Sequence, residues 1–467
     1  MPKRNLVLLV LIAIASLLAW AARERGGRGR LYGEVTGHVG RMVLEPVDDE
    51  ALFRGAMEGM FAQLDEHSAF VAVDSGRSES TAEFAGVGLE LTAEGRDRIP
   101  AVITPLVGSP AWLAGIAAGD RIVAIDGIAT DRVRLKDAVA MLRGPAGSRV
   151  VLDIAPPDGD PTEVSDEAGN ITATRSVSIE RAVLRSETVC GDRRRADGSW
   201  DWFLEGEEGV MLIRLSRFSP HTIDDLDRAL TEIAAVGQPA GVILDLRGNP
   251  GGLLDAAIEV CDRFLDDGVI VSMRRRPADG TRPVPASAER LDVRRATPGA
   301  ILREVPMVVV VDGVTASAAE IVAACLQDHG RAVVVGSRTF GKGTTQTTVP
   351  LSDGRHALRL TTAEYLRPNL APLHRRPRDP DAQTWGVWPD RGYELTPTGE
   401  TLEAVHDWRR HRDAVPRHPA VVANGDRPVA DSEREDPSAL WPRHVDPVLG
   451  RAVAAIGARR ALAGARD

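Results

Sequence analysis

Residues 308–322 read V-V-V-V-D-G-V-T-A-S-A-A-E-I-V. Valines in an unbroken row leave no polar face, the pattern of a strand buried on both sides of a sheet. The apolar run over Met307–Val311 gives way at Asp312 and Gly313 to a small-residue turn, and a helix is expected from about Ala316 to Gln327. The same pattern extends both ways. Upstream come a strand over Gly209–Leu215, an amphipathic helix over Thr222–Val236, an apolar strand over Val242–Leu246 broken only by Asp245, and a helix over Leu253–Leu265. Downstream, Ala332–Gly336 reads as a further strand. Buried strands alternating with helices specify an α/β fold with a parallel sheet.

Ser317 sits where that strand turns into its helix. The carboxyl ends of parallel strands are where open α/β sheets bind ligands, and a helix start adds free N–H groups and positive potential. Ala318 can offer its N–H to a developing oxyanion without blocking access. The plainer alternative is that Ser317 or Thr315 only caps the helix, with Glu320 three residues on completing a capping box.

The chain has 467 residues, too many for one core, so two to four units are expected. A net charge of −10, with no long basic stretch, excludes a nucleic-acid surface. Three cysteines cannot build a disulfide framework; Cys261 and Cys325 read as buried thiols and Cys190 as a loop residue. Lysine and arginine together number 57, yet the only lysines are Lys3, Lys136 and Lys342. Arginine keeps its proton in a protein whereas a desolvated lysine can lose it, so a retained lysine marks a place where a neutral amine can serve. Lys342 is that candidate, in the stretch T-F-G-K-G-T-T-Q over 339–346, with Gln346 placed to hold its amine. A serine needs a base, and a lysine amine can supply it. A phosphate loop is the competing reading of this stretch, but the G-x-x-x-x-G-K-[ST] pattern is missing. A second glycine turn, L-R-G-N-P-G-G over 246–252, again presents N–H groups at a helix start, through Gly251 or Gly252.

Lys3 and Arg4 followed by the apolar run Leu6–Ala22 form an export signal, with cleaved signal and retained anchor both open. Residues 31–75 carry helical spacing and read as two or three helices ending at L-D-E-H-S, 64–68. Residues 82–155 change to short β-type runs at Val87–Leu91, Ala101–Thr104, Arg121–Ile125 and Arg149–Ile154, with a helix at Leu135–Leu142. Arg175–Ile179 is a further strand, 156–170 an acidic loop, and 273–300 an Arg/Pro-rich surface excursion. The stretch 410–440 is polar and Pro-rich, before a short helix over Pro447–Ile456.

Taken in order, G-M-x-x-x-L-D-x-H-S at 59–68, F-x-G-V-G at 84–88, L-R-G-x-x-G-S at 142–148, the glycine turn at 246–257, the serine stretch at 315–321, the lysine stretch at 339–346 and G-V-W-P-D at 386–390 resemble the C-terminal processing peptidases, or tail-specific proteases. The resemblance covers about residues 31–395. It implies a crotonase-like α/β peptidase core with an inserted PDZ domain and an N-terminal helical region. The expected divisions are a signal or anchor at 1–22, helices at 31–81, PDZ domain at 82–180, core at 181–400 and an extension at 401–467. Carried over, Ser317 is nucleophile, Lys342 general base and Gln346 its orienting residue, with oxyanion N–H groups from Ala318 and Gly251 or Gly252. Gly86, Val87, Gly88 and Leu89 match the carboxylate-binding loop of the PDZ domain, and Arg143 is a candidate for coupling that domain to the active site. The resemblance further implies serine endoproteolysis of proteins with apolar C-terminal tails in the periplasm or cell envelope, with no metal or cofactor. Membrane association through the N-terminus and a homo-oligomer are both allowed for. The alternatives are a silent PDZ scaffold, disfavoured because Ser317, Lys342 and Gln346 are all present, and a crotonase-type acyl-CoA enzyme, which needs no Ser–Lys pair.

Overall fold

A computed structural model describes residues 27–73, 83–93, 99–157, 174–275, 291–376, 385–416 and 445–464. The export segment at 1–22, most of the acidic loop and most of the polar stretch beyond 416 lie outside the described residues. No helix among the described residues is long and apolar enough to cross a membrane. The chain divides into two compact units, residues 1–76 with 346–362, and residues 77–345 with 363–467.

In the first unit, α1 (Gly27–Met42) and α2 (Asp49–Phe61) form where helical spacing predicts them. The second helix ends at Phe61, just before the L-D-E-H-S stretch where the sequence places its end. Asp65 accepts the His67 N–H at 2.9 Å and the Ser68 hydroxyl at 3.0 Å, a side-chain turn that competes with helix. The chain then enters β1 (Ala69–Ala72), antiparallel to residues 356–359.

The second unit opens with β2 (Glu83–Gly86), β3 (Leu89–Ala93), β4 (Pro100–Pro105), α3 (Pro110–Leu113), β5 (Arg121–Ile125), β6 (Ile128–Ala129), α4 (Leu135–Leu142), β7 (Arg149–Ala155), β8 (Arg175–Glu180) and β9 (Ala182–Arg185). These make an antiparallel sheet in the order β3-β4-β5-β7-β8, with β6 beside β5 and a separate β2–β9 pair. Its core joins Val87, Val102, Ile122, Val150, Leu152 and Ile154 to Ala138 and Leu142 of α4. The expected strand at Val87–Leu91 begins later, because Gly88 has φ 85° and cannot extend a strand.

The remainder supplies β10 (Val189–Cys190), β11 (Val210–Leu215), α5 (Thr222–Val236), β12 (Gly241–Asp245), α6 (Leu254–Asp262), β13 (Val269–Arg275), β14 (Leu291–Arg295), β15 (Met307–Val311), α7 (Ala318–Asp328), β16 (Ala332–Gly336), α8 (Gly399–Asp413) and α9 (Pro447–Gly464). Strands β11, β12, β15 and β16 are parallel in that order, with β10 antiparallel at the edge, so Cys190 lies in a strand and not a loop. Every residue of β12 and β15 is buried, as their apolar runs require. The surface excursion expected over 273–300 is partly sheet: β14 pairs antiparallel with β13. Its residues are mostly exposed, so no apolar periodicity betrays it, and its arginines suit an edge strand that must not recruit another chain.

The polar region past 400 also differs from expectation. In α8 the buried face is Val405, Trp408 and Arg412, and Arg412 pairs with Asp192 and Glu205. Asp413 accepts from Arg214, and beyond the helix the Val415 N–H donates to the Thr104 hydroxyl of β4 at 3.2 Å. This segment therefore ties the small antiparallel sheet to the parallel one. The last helix extends to Gly464, well past Ile456.

Candidate active site

Parallel strands β12 and β15 lie side by side, so the turns leaving their carboxyl ends meet. The first, 246–252, is fastened at its start. Arg247 is held between the carboxylates of Asp245 and Asp446, donating to them at 2.7 and 2.8 Å. Asn249, fully buried, donates through Nδ2 to the Leu215 carbonyl at 2.8 Å and accepts the Gly251 N–H at 2.8 Å. The Ala316 N–H donates to the Asn249 carbonyl at 2.9 Å, and the Thr315 hydroxyl to the Leu246 carbonyl at 2.9 Å, joining this turn to the serine turn.

Gly251 is a glycine for steric reasons. A Cβ there would stand 2.8 Å from the Ser317 Cβ and 3.0 Å from the Ala318 nitrogen. Gly252 is equally constrained, since its Cβ would lie 2.0 Å from the Phe218 carbonyl oxygen. The Gly251 N–H is consumed by Asn249. Among the described residues, the N–H groups of Gly252 and Ala318 have no acceptor.

Ser317 adopts φ 56° and ψ −118°, a conformation that side chains rarely take. It starts α7 two residues later than the sequence suggests. Such backbone costs about 1–3 kcal/mol and persists only where surroundings enforce it. The enforcing group is Glu320, entirely buried. Its Oε2 accepts the Ser317 N–H at 2.9 Å and the Lys342 N–H at 2.8 Å; its Oε1 accepts the Gly341 N–H at 2.8 Å and the Thr339 hydroxyl at 2.6 Å. The expected capping box thus forms, but the Glu320 carboxylate also binds the lysine loop. Ser317 and Lys342 have backbone nitrogens on one oxygen, less than two hydrogen-bond lengths apart. Burial pushes the Glu320 carboxyl up, and the four donors pull it back toward the charged form. Both Ser317 and Lys342 are half-buried and reachable.

Gln346 belongs to the first unit, where its Nε2 donates to the Thr361 hydroxyl at 3.3 Å. Thr361 in turn donates to Asp65 at 2.8 Å.

In the antiparallel sheet, β3 is an edge strand with α4 alongside it. The carbonyls of Val87 and Gly88 turn inward, accepting from Ala111 and Leu106 at 2.9 Å, and the Ser109 hydroxyl also reaches Gly88. Among the described residues the Val87 and Gly88 N–H groups have no acceptor. Leu89 and Leu91 are half-buried against the cluster containing Leu142. Arg143 caps α4 at its C-terminus, exposed, with its Cα 4.0 Å from where a Gly86 Cβ would be. An open strand edge, free amides and an apolar wall can take an extended peptide ending in a carboxylate.

Of the residues singled out in the sequence, the structure brings Ser317, Lys342 and the glycine turn at 246–252 to adjoining loops and places Gln346 in the other unit. The sequence reading took Glu320 only as a cap, and it missed Asn249, which reaches back to the Leu215 carbonyl, and Asp446, which meets Arg247 from far along the chain. Comparison with known proteins matches peptidase family S41 over residues 209–384 and a PDZ domain over 102–156. A carboxy-terminal-processing protease of Bartonella bacilliformis is 34% identical over 373 residues, 78% of this chain and 77% of the relative. The carboxy-terminal processing protease CtpA of Bacillus subtilis is 31% identical over 336 residues, 71% of this chain and 64% of the relative. The photosystem II D1 C-terminal processing protease structure superposes with a TM-score of 0.41 at 30% identity, covering 86% of this chain and 97% of that one. A parallel-sheet peptidase core with a PDZ domain defines the class as a PDZ-containing serine peptidase. The chain belongs to the carboxy-terminal processing proteases of family S41.

Proposed function

We propose that this protease cleaves protein substrates by a Ser317–Lys342 acyl-enzyme mechanism, with its PDZ domain gathering their C-terminal tails. The observation that carries it is the single buried carboxylate of Glu320 holding the backbones of both residues. Lys342, as a neutral amine, takes the Ser317 hydroxyl proton as Oγ attacks the scissile carbonyl carbon. The tetrahedral oxyanion accepts from the N–H groups of Ala318 and Gly252; Gly251 is the less suitable glycine because Asn249 already takes its N–H. The ammonium then passes its proton to the leaving amine, and water with Lys342 as base hydrolyses the acyl-enzyme. Gln346 is assigned as the orienting partner of the amine.

Substrate tails add to the edge of β3, their carboxylates held by the amides of Gly86–Leu89 and apolar side chains met by Leu89 and Leu91. Arg143, beside Gly86, is assigned the coupling of tail binding to cleavage. We take 82–180 as the PDZ domain, 181–400 as the peptidase core, and the N-terminal apolar run as directing the enzyme to the cell envelope. The test is cleavage of an unstructured protein with an apolar tail: wild type cuts it, and Ser317→Ala does not. Cutting by Ser317→Ala at the wild-type rate removes the reading.

A further inference from the structure

Two large apolar side chains stand exposed on the loops that carry Ser317 and Lys342: Val314 at 57% and Phe340 at 52%. Their segments adjoin, since the Phe340 N–H donates to the Thr315 carbonyl at 2.9 Å. Beside them are two arginines. The Arg375 N–H donates to the Gly341 carbonyl at 2.8 Å, and a Cβ on Gly341 would lie 2.6 Å from the Trp385 ring and 2.9 Å from the Arg375 Cβ. Arg375 and Trp385 therefore flank the residue that precedes Lys342. The Arg338 guanidinium stacks on Trp385 with its carbon 3.1 Å from the ring centroid, and it is 4.6 Å from that of Trp388; Arg375 is 5.2 Å from the Trp385 centroid. Arg338 donates through Nε and one terminal nitrogen to the Trp385 carbonyl at 3.3 and 2.9 Å.

Among the described residues, neither guanidinium has a carboxylate partner. A neighbouring arginine differs: Arg367, which donates to the Gly386 carbonyl at 3.3 Å, is paired with Asp328. Burial, and then the charge of Arg375, hold the Arg338 guanidinium below its usual range. Two like charges gathered on one aromatic ring, Arg338 half-buried and Arg375 exposed, beside exposed apolar side chains, fit a ligand that brings a carboxylate.

We propose that Arg338, Arg375 and Trp385 form a carboxylate-binding subsite of the cleavage cleft, which takes an acidic side chain or the chain terminus of the substrate while Val314 and Phe340 contact its apolar neighbours. This rests on Ser317 and Lys342 being the catalytic pair. The test compares full-length enzyme with the Arg338→Gln/Arg375→Gln double variant on four matched flexible peptides. One pair carries Asp or Asn beside the scissile bond; the other has a free or an amidated C-terminus and is assayed with Gly88→Val added to both enzymes, so that the PDZ loop does not read the terminus. At least one acidic member is expected to exceed its neutral twin by about tenfold in kcat/KM with wild type, at low salt, and the ratio should fall toward one in the double variant. A side-chain carboxylate shows in the first pair, a chain terminus in the second. A ratio of one in wild type, or a ratio unchanged in the variant, overturns the proposal. So does an equal loss on all four peptides with a lowered Tm, which would mean that the arginines only hold the loop. Wild-type cleavage by a parallel Ser317→Ala control would instead sink the catalytic pair.

Discussion

Replacing Glu320 tests whether one carboxylate holds the site together. In Glu320→Gln one oxygen becomes an N–H₂ donor. The favourable placement puts that nitrogen on the Oε1 side, because the Thr339 hydroxyl can turn and accept, whereas the Ser317, Lys342 and Gly341 donors there are fixed backbone N–H groups. Glutamine thus keeps Ser317 and Lys342 in place and strands the buried Gly341 N–H. Losing a hydrogen bond to a charged acceptor costs about 1.5–3 kcal/mol, equivalent to roughly a 10- to 100-fold fall in kcat if it is felt at the reacting geometry. Glu320→Ala strands all the donors and removes what balances the strained Ser317 backbone, itself worth about 1–3 kcal/mol. Its kcat should fall by a further factor of at least about ten. The assay is peptide turnover well below Tm, with KM and circular dichroism measured in parallel. A positioning role predicts a fall in kcat with KM nearly constant, graded Glu, Gln, Ala. Glu320→Ala with wild-type kcat, or loss that follows only the unfolded fraction, would refute the reasoning.

Gly252→Ala should cut kcat more than Asn249→Ala at matched fraction folded, since the first displaces the proposed oxyanion donor and the second frees another; equal falls would count against Gly252. Lys342→Arg should be as inactive as Lys342→Ala although it keeps the charge, and partial rescue in a turnover assay would argue against a neutral amine. Burial pushes the Cys190 thiol up to about 12 and Cys261 well above its usual range, so at pH 8 the folded protein keeps both as thiols. Ellman's reagent at pH 8 should react slowly with native protein and fast with all three thiols in guanidinium; rapid native labelling at either position would falsify this. Amidating an apolar substrate tail should slow cleavage by wild type, and the difference should shrink when Gly88→Val drives a side chain into Ser109; an undiminished difference would exclude this loop as the carboxylate reader.

What the sequence disclosed and what it concealed follow from how each element is stabilised. Strands β11, β12, β15 and β16 were legible because burial on both faces demands uninterrupted apolar residues, a local signal. Helix α4 was legible residue for residue for a similar reason, its apolar face being aliphatic. By contrast, α8 buries an arginine, which is tolerable only because Asp192 and Glu205 arrive from two hundred residues away. No window of sequence holds both partners, so its composition reads as solvent-facing. Strand β14 is concealed for the opposite reason: it buries almost nothing, and only pairing with β13 defines it. The candidate active site divides along the same line. Ser317, Lys342 and the glycines stand out because small residues and a rare lysine break the local composition. Glu320 satisfies a local rule, the capping box, so completely that the rule hides its second task at Gly341 and Lys342. A carboxylate that fulfils a short-range expectation while facing the end of a buried strand is therefore the kind of residue where a sequence reading stops one hydrogen bond too early.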